Sequence, residues 1–349
     1  MKRYIKLISL LTVLLICLAT ATACTGGTAA TTLGGAYFLS TPSELGIGTV
    51  DETVTYTVDF VNDTTAANKY EFSIDLQSGT YTQHLTNAVY GEGEEKVSCY
   101  MLETELLTTL TFTFDGTTTE VFYDAIKTRA YFKGVNERLA PIYSEKTVSS
   151  HAPSVDRAGN KSVVEYEYTV KTLYGSEDAT VTFDGVKGQY DLTDGDKVYE
   201  GYNDASYYFD NEMMVFMPRA IKLVDTSSLT FDVIDAVTGK MRTLTMAADA
   251  EQPTADLIFD SASQEGGVIK HGYTRNGHKG VYKNDKGQQV IPCQAVSFAI
   301  SGSFSGSPIK CWYAKSDLED ENCRMIKMEV SAPYSIGTFI YSITDTTTK

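Results

Sequence analysis

Apolar residues recur at every second position over much of this chain, and that rhythm limits what it can build. In Glu52 to Val61, Val54, Tyr56, Val58 and Phe60 fall on one side, while Thr53, Thr55, Thr57 and Asp59 fall on the other. Successive side chains of a β-strand point to opposite faces, so such a run is a strand with one face in a core. Tyr70, Phe72, Ile74 and Leu76 repeat the pattern, as do Val164, Tyr166, Tyr168 and Val170 against Glu165, Glu167, Thr169 and Lys171. The rhythm lasts longest from Tyr100 to Phe114, with Tyr100, Leu102, Leu106, Leu110, Phe112 and Phe114 inward and Glu103 and Glu105 outward. So long a strand has to twist and bend, which suits a barrel better than a flat sandwich. Asp115-Gly116 turns the chain into Thr119 to Phe132, then come Leu139 to Ser149 and Ala179 to Phe183, with polar loops at Ser150 to Lys161 and Asp191 to Asp204. The fold expected is all-β, an antiparallel meander forming a large barrel or half-barrel.

One stretch breaks the rhythm. Residues 210 to 221 read as a single short helix, with Asp210 or Asn211 as N-cap. Met213-Met214-Val215-Phe216-Met217 is apolar on every side, so the helix should be buried, and Pro218 should end or kink it. These methionines and Phe216 are core filler in the simplest case; the sharper alternative makes Met213, Met214, Phe216 and Met217 the wall of a site for a greasy ligand. Beyond the helix, Leu229 to Ile234 and Met241 to Met246 flank Thr238-Gly239 as a hairpin, and Ala247 to Gly267 is loop-like. Val268 to Val290 is a hairpin turning at Asn284 to Gly287, Ile309 to Ala314 pairs with Cys323 to Val330, and Phe339, Tyr341 and Ile343 finish the chain.

The N-terminus carries an address. Lys2, Arg3 and Lys6 precede an apolar run from Leu7 to Leu18, and Ala21-Thr22-Ala23 supplies a small-residue cleavage site, so residues 1–23 read as an export signal. Cys24 directly after it resembles the lipobox of bacterial lipoproteins, which implies lipidation of Cys24 and anchoring to the cell membrane. Ala21 stands where that pattern prefers Leu, and secretion without a lipid is the alternative. Residues 24–48, rich in Gly and Thr, read as a flexible tether. The remainder, 49–349, is expected to be one β-barrel-like domain with halves 49–204 and 205–349.

Removing residues 1–23 takes away three basic residues and no acidic one, so the formal charge moves from −16 to −19. Charge of that sign excludes nucleic acid as a partner and disfavours electrostatic adhesion to anionic lipid. Against this background Lys270, His271, Arg275, His278, Lys279, Lys283 and Lys286 form a basic hairpin. It is either a solvated edge with protective lysines or a docking surface, with Lys270, Arg275, Lys279 and Lys283 as its contacts.

No constellation for catalysis appears. His84, His151, His271 and His278 are scattered and read as surface residues, and there is no GxSxG, HExxH, GxGxxG or P-loop lysine in context. Asp191, Asp194, Asp196 and Glu200 depart from a calcium loop. The expectation is no enzyme, no cofactor and no metal. Cys99, Cys293, Cys311 and Cys323 remain after Cys17 is removed and Cys24 lipidated; Cys311 and Cys323 flank a hairpin centred at Asp317 and are the candidate disulfide if their register agrees.

Arg129-Ala-Tyr-Phe, Leu139-Ala-Pro-Ile-Tyr-Ser-Glu-Lys146, the helix ending Met217-Pro-Arg219, Ile309-Lys-Cys-Trp-Tyr-Ala-Lys315 and Cys323-Arg-Met-Ile-Lys-Met328 occur in that order. This order resembles an uncharacterised family of exported bacterial β-barrel proteins known by a domain of unknown function. More distantly it is similar to the half-barrels of Lol-type lipoprotein carriers, which cradle acyl chains. The segment Ala247 to Val290 is longer here, and Pro218 before the Arg is a departure. The resemblance implies fold and compartment and carries no catalytic residue. Two functions follow as expectations: a module binding a lipid or other amphiphile inside the barrel, or a structural or protein-docking lipoprotein whose barrel is filled.

Overall fold

The computed structural model describes residues 51–65, 67, 71–135, 138–155, 159–188, 194–200, 208–220, 228–235, 240–249, 254–257, 282–283, 289–301, 309–314, 324–332 and 336–348. The strands among them are β1 (Asp51–Asn62), β2 (Phe72–Tyr90), β3 (Val97–Phe114), β4 (Thr117–Thr118), β5 (Phe122–Val135), β6 (Arg138–Val155), β7 (Lys161–Tyr174), β8 (Asp178–Lys187) and β9 (Gly195–Glu200). They continue as β10 (Tyr208–Phe209), β11 (Ser228–Asp235), β12 (Lys240–Asp249), β13 (Thr254–Leu257), β14 (Tyr282–Lys283), β15 (Gln289–Ile300), β16 (Ile309–Ala314), β17 (Met325–Ser331) and β18 (Gly337–Thr348).

Antiparallel pairing runs from β9 through β8, β7, β6, β5, β3, β2 and β1. It continues from β1 into β18, β17, β16, β15, β12 and β11, where β10 adds a short parallel edge. The first strand thus lies between the second and the last, and it stitches the early and late parts of the chain into one sheet. Among the described residues β9 pairs only with β8 and β10 only with β11, so the sheet is a half-barrel rather than a closed one. Register shifts in β1, β2, β5, β7 and β16 let the longer strands bend. At the β3–β4 turn, Asp115 (φ 50°) and Gly116 (φ 78°) both take the left-handed region that a two-residue hairpin loop demands.

The alternation read from the sequence divides core from solvent. Val54, Tyr56, Val58, Leu102, Leu106, Leu110 and Phe112 are buried, in a core that also takes Tyr81, Tyr168, Phe298, Phe339 and Tyr341. Outward positions carry charge: Glu103, Arg129, Glu145 and Lys171 oppose one another across β3, β5, β6 and β7. Arg129 holds Glu103 at 2.6 Å, and Lys127 holds Glu105 at 2.6 Å. This is the reverse of a membrane barrel, whose outward band is apolar.

Three stretches differ from the sequence expectation. The strand expected to stop at Ser149 runs on to Val155 as β6, because Ser150 and Ala152 keep the inward parity of Val148 and are as buried as a core residue. Small and polar residues there concealed the periodicity. Gly195–Glu200 within the expected Gly/Asp loop forms β9 on the edge of β8, with Thr182 donating to Asp196 at 2.7 Å. Residues 254–257, expected in a loop, form β13 against β15.

Gly337 begins β18 where a side chain would collide with the Val61 carbonyl and the Phe60 ring, the latter tilted against Phe339 with ring centres 4.5 Å apart. Gly337→Ala should therefore destabilise the protein by about 1–3 kcal/mol through overpacking, read as a lower midpoint in urea; an unchanged midpoint would show that the β1–β18 seam yields freely.

Candidate functional site in the concave face

The expected helix is present as two 3-10 turns, Asn211–Met213 and Met217–Ala220, with a turn between them. Its backbone bonds step by three residues, from Met213 N–H to Asp210, Phe216 N–H to Met213 and Arg219 N–H to Phe216. Asp210 caps the first turn: its carboxylate accepts the Glu212 N–H at 2.8 Å. Pro218 sits in the opening of the second turn, where its missing donor is not needed. This strap, 210–220, is the candidate site.

Its side chains show how far the sheet curls. Phe216 meets Phe132 of β5 at 5.5 Å, while the neighbouring Val215 carbonyl accepts a 2.6 Å bond from the Tyr313 hydroxyl of β16. β5 and β16 lie six places apart in the sheet order. In a flat sheet six strand spacings separate them by about 28 Å, so the sheet is wrapped around the strap. Met213, Met214, Val215, Phe216 and Met217 are 0–5% exposed. They face the chain's own strands, each contributing about 1.5–3 kcal/mol of burial.

Polar ties hold the strap in register. The buried Asp210 carboxylate accepts the hydroxyls of Ser144 on β6 at 2.5 Å and Tyr174 on β7 at 2.6 Å. Glu212 lies 3.5 Å from the ammonium of Lys146, which is 2% exposed and makes no hydrogen bond among the described residues. Lys146 continues an inward rung of polar residues, Gln83, Thr104 and Thr128, on adjacent strands. The Thr104 and Thr128 hydroxyls are 2.6 Å apart, and Gln83 donates to the Tyr81 hydroxyl at 3.1 Å. At the far end Glu52 of β1 takes Arg219 Nη1 at 2.6 Å and Arg324 Nε at 3.0 Å, all three side chains being buried. Arg219 also covers the Phe216 ring, 5.1 Å from its centre.

Burial would raise the Glu52 carboxyl, but the two guanidiniums outweigh it and hold the pKa below the usual carboxylate value. Glu212 goes the other way: burial pushes it up to about 7, opposed by Lys146 and reinforced by the Asp210 carboxylate. Burial also raises Asp210, against the pull of Ser144 and Tyr174. The same cause raises the Cys311 thiol, which stays protonated and unreactive.

Cys311 carries a free thiol, and β16–β17 register sets it opposite Met328, so the expected pairing with Cys323 is corrected. The hairpin is centred later than Asp317, and Cys323 itself lies outside the described residues. Cys24, Lys270, Arg275 and Lys279 also lie outside them, and Lys283 is in β14 opposite Gln289. His151, read as a surface residue, is half-buried, with Nδ1 2.7 Å from Asp124 and its ring 4.5 Å from that of Phe122. Asp124 also accepts the His151 backbone N–H, closing the ladder where β5 begins. Parity was the signal for the buried charges: Glu52 is in phase with Val54 and Tyr56, and Lys146 with Val148.

No family model matches the chain, and no curated protein matches it. Among solved structures it is similar to a β-barrel-like protein of a domain of unknown function, DUF1849, from Brucella abortus. That likeness covers 86% of this chain and 98% of the other at 8% identity, with a TM-score of 0.44.

Glu52→Ala removes the buried carboxylate that both guanidiniums share and should cost about 3–5 kcal/mol in chemical denaturation; a loss under about 1 kcal/mol, the range of an exposed pair, would contradict the clamp. Glu212 supplies a pH signature. Below pH 4.5 its carboxyl is protonated in folded and unfolded chains alike, and as the pH rises to about 7 the unfolded chain loses its proton first. Its contribution to stability therefore falls across that window by about 3 kcal/mol. Glu212→Gln should flatten the decline in unfolding free energy between pH 5 and pH 8, and parallel wild-type and variant curves would refute the assignment.

Proposed function

We propose that this chain is an exported, membrane-tethered and non-catalytic module of a bacterial envelope, filled by its own strap and working through its outer surface with protein partners. The observation that carries this reading is the coverage of Met213, Met214, Phe216 and Met217 by the chain itself. A wall for an acyl chain faces open volume, commonly about 300–1,000 Å³, whereas these side chains are buried in the core, with Phe216 against β5 and the neighbouring Val215 carbonyl bonded to β16. Amphiphile binding on this face requires the strap to leave, breaking the Asp210, Glu212 and Arg219 ties together. The export signal at 1–23 and lipidation at Cys24 supply the address in this reading, and the acidic charge fits a partner other than nucleic acid.

The test is native mass spectrometry of the whole mature chain, Cys24 to Lys349, released into solution by Cys24→Ser and purified without detergent, followed by organic extraction. The protein should carry its sequence mass alone and keep it after incubation with membrane lipids. A stoichiometric amphiphile would overturn the filled interior and restore the strap as a wall of a binding site.

A further inference from the structure

The outward face of the early strands carries one row that is not charged. Met101, Tyr131, Tyr143 and Leu173 oppose one another across β3, β5, β6 and β7, and the row continues through Thr180 of β8 to Val198 of β9. Tyr90, at the end of β2, brings its ring to 5.2 Å from Tyr131 and 5.6 Å from Tyr143. Leu173 is 49% exposed and Val198 55%. Six strands span about 24 Å, the length of an extended segment of roughly seven residues.

Charge around this row is lopsided. On its inner side the charges answer one another: Glu103 is taken by Arg129 and Lys171 by Asp184, while Glu145 accepts the Tyr143 hydroxyl at 2.8 Å. On its outer side lie the strand turns, where Glu92, Glu94 and Glu95 follow β2, and Glu177 and Asp178 join β7 to β8, all exposed. Among the described residues, Lys96 and Lys133 are exposed basic residues beside them. An apolar, tyrosine-rich strip bordered by carboxylates matches a polypeptide that offers alternate apolar and cationic side chains. The apolar ones pack between the rings, and guanidinium or ammonium groups lie over tyrosine faces and against the acidic turns. An anionic bilayer is disfavoured by the same carboxylates.

We propose that the row from Met101 to Val198, with Tyr90 above it, is the docking surface for an extended basic segment of a partner protein. The proposal rests on the protein-docking reading above.

The test is fluorescence anisotropy of a labelled twelve-residue peptide of alternating Arg and Leu, titrated with the same Cys24→Ser mature chain. Saturable binding that weakens with salt is expected, and a matched Glu-Leu peptide should not bind. The Tyr131→Ser, Tyr143→Ser double variant should weaken binding at least tenfold. Glu94→Lys with Glu95→Lys, on an exposed turn away from any core residue, should do the same and shrink the salt dependence. Undiminished affinity in both variants, or no saturable binding by wild type, overturns the proposal. Tyrosine-dependent sedimentation with phosphatidylcholine–phosphatidylglycerol vesicles overturns it in favour of a lipid surface. None of these results bears on whether the interior is filled, and an amphiphile found in the interior leaves the peptide titration as it stands.

Discussion

Glu52 is the point at which the fold is tied. It belongs to the strand that joins the first and last parts of the sheet, and it takes one guanidinium from the strap and one from the residue that precedes β17. Removing one partner from a buried carboxylate and the guanidiniums it holds costs far more than losing an exposed pair, because the burial of the remaining charges is no longer offset by that contact. The curl of the sheet follows from this requirement. Arg219 reaches Glu52 only when the strap runs through the concavity, and the strap runs there only when strands six places apart stand on either side of it.

The second set of ties has the opposite electrostatic character. Asp210 is settled by hydroxyl donors rather than by a cation, and Glu212 shares its burial with Lys146 across a gap too long for a good hydrogen bond. The clamp at Glu52 weakens when carboxylates gain protons, whereas the burial of Glu212 grows costlier when it loses one, a cost that the pull of Lys146 only partly offsets. The two ends of one short segment therefore set opposite pH limits on the same packed state. A polar rung under the strap, from Gln83 to Lys146, also fixes register, since a one-residue slip in β6 would turn Lys146 out and Glu145 in.

Much of this architecture was legible because one face of each strand is apolar and the other is not. Val54 to Phe60 and Tyr100 to Phe114 declare themselves by period alone. The second half of β6 does not, because Ser150 and Ala152 are small or polar yet lie inward, and burial there is decided by the strands beside them. Residues 213–217 were recognisable as buried from five consecutive apolar side chains. Their form as 3-10 turns was not, because Pro218 and the competing ties of Asp210 and Arg219 divide a segment whose local preference is helical. The inward charges sat in plain sight, in phase with core residues, but a single Lys or Glu in an alternating run names no partner. Glu52 and Arg219 are far apart in sequence, and only the curled sheet brings them together. Cys311 shows the reverse case: a pairing suggested by hairpin symmetry fails once the register is known.

The interior is filled only if the strap is a permanent part of it rather than a visitor to it. Hydrogen–deuterium exchange of the intact mature chain addresses this directly, at the amides of Met213, Phe216 and Arg219, each bonded within the strap. Protection should match that of β1 and β6, because strap and sheet then open only together. Exchange at the rate of the exposed turn at Gly93–Glu95 would contradict it and make the strap a separable lid.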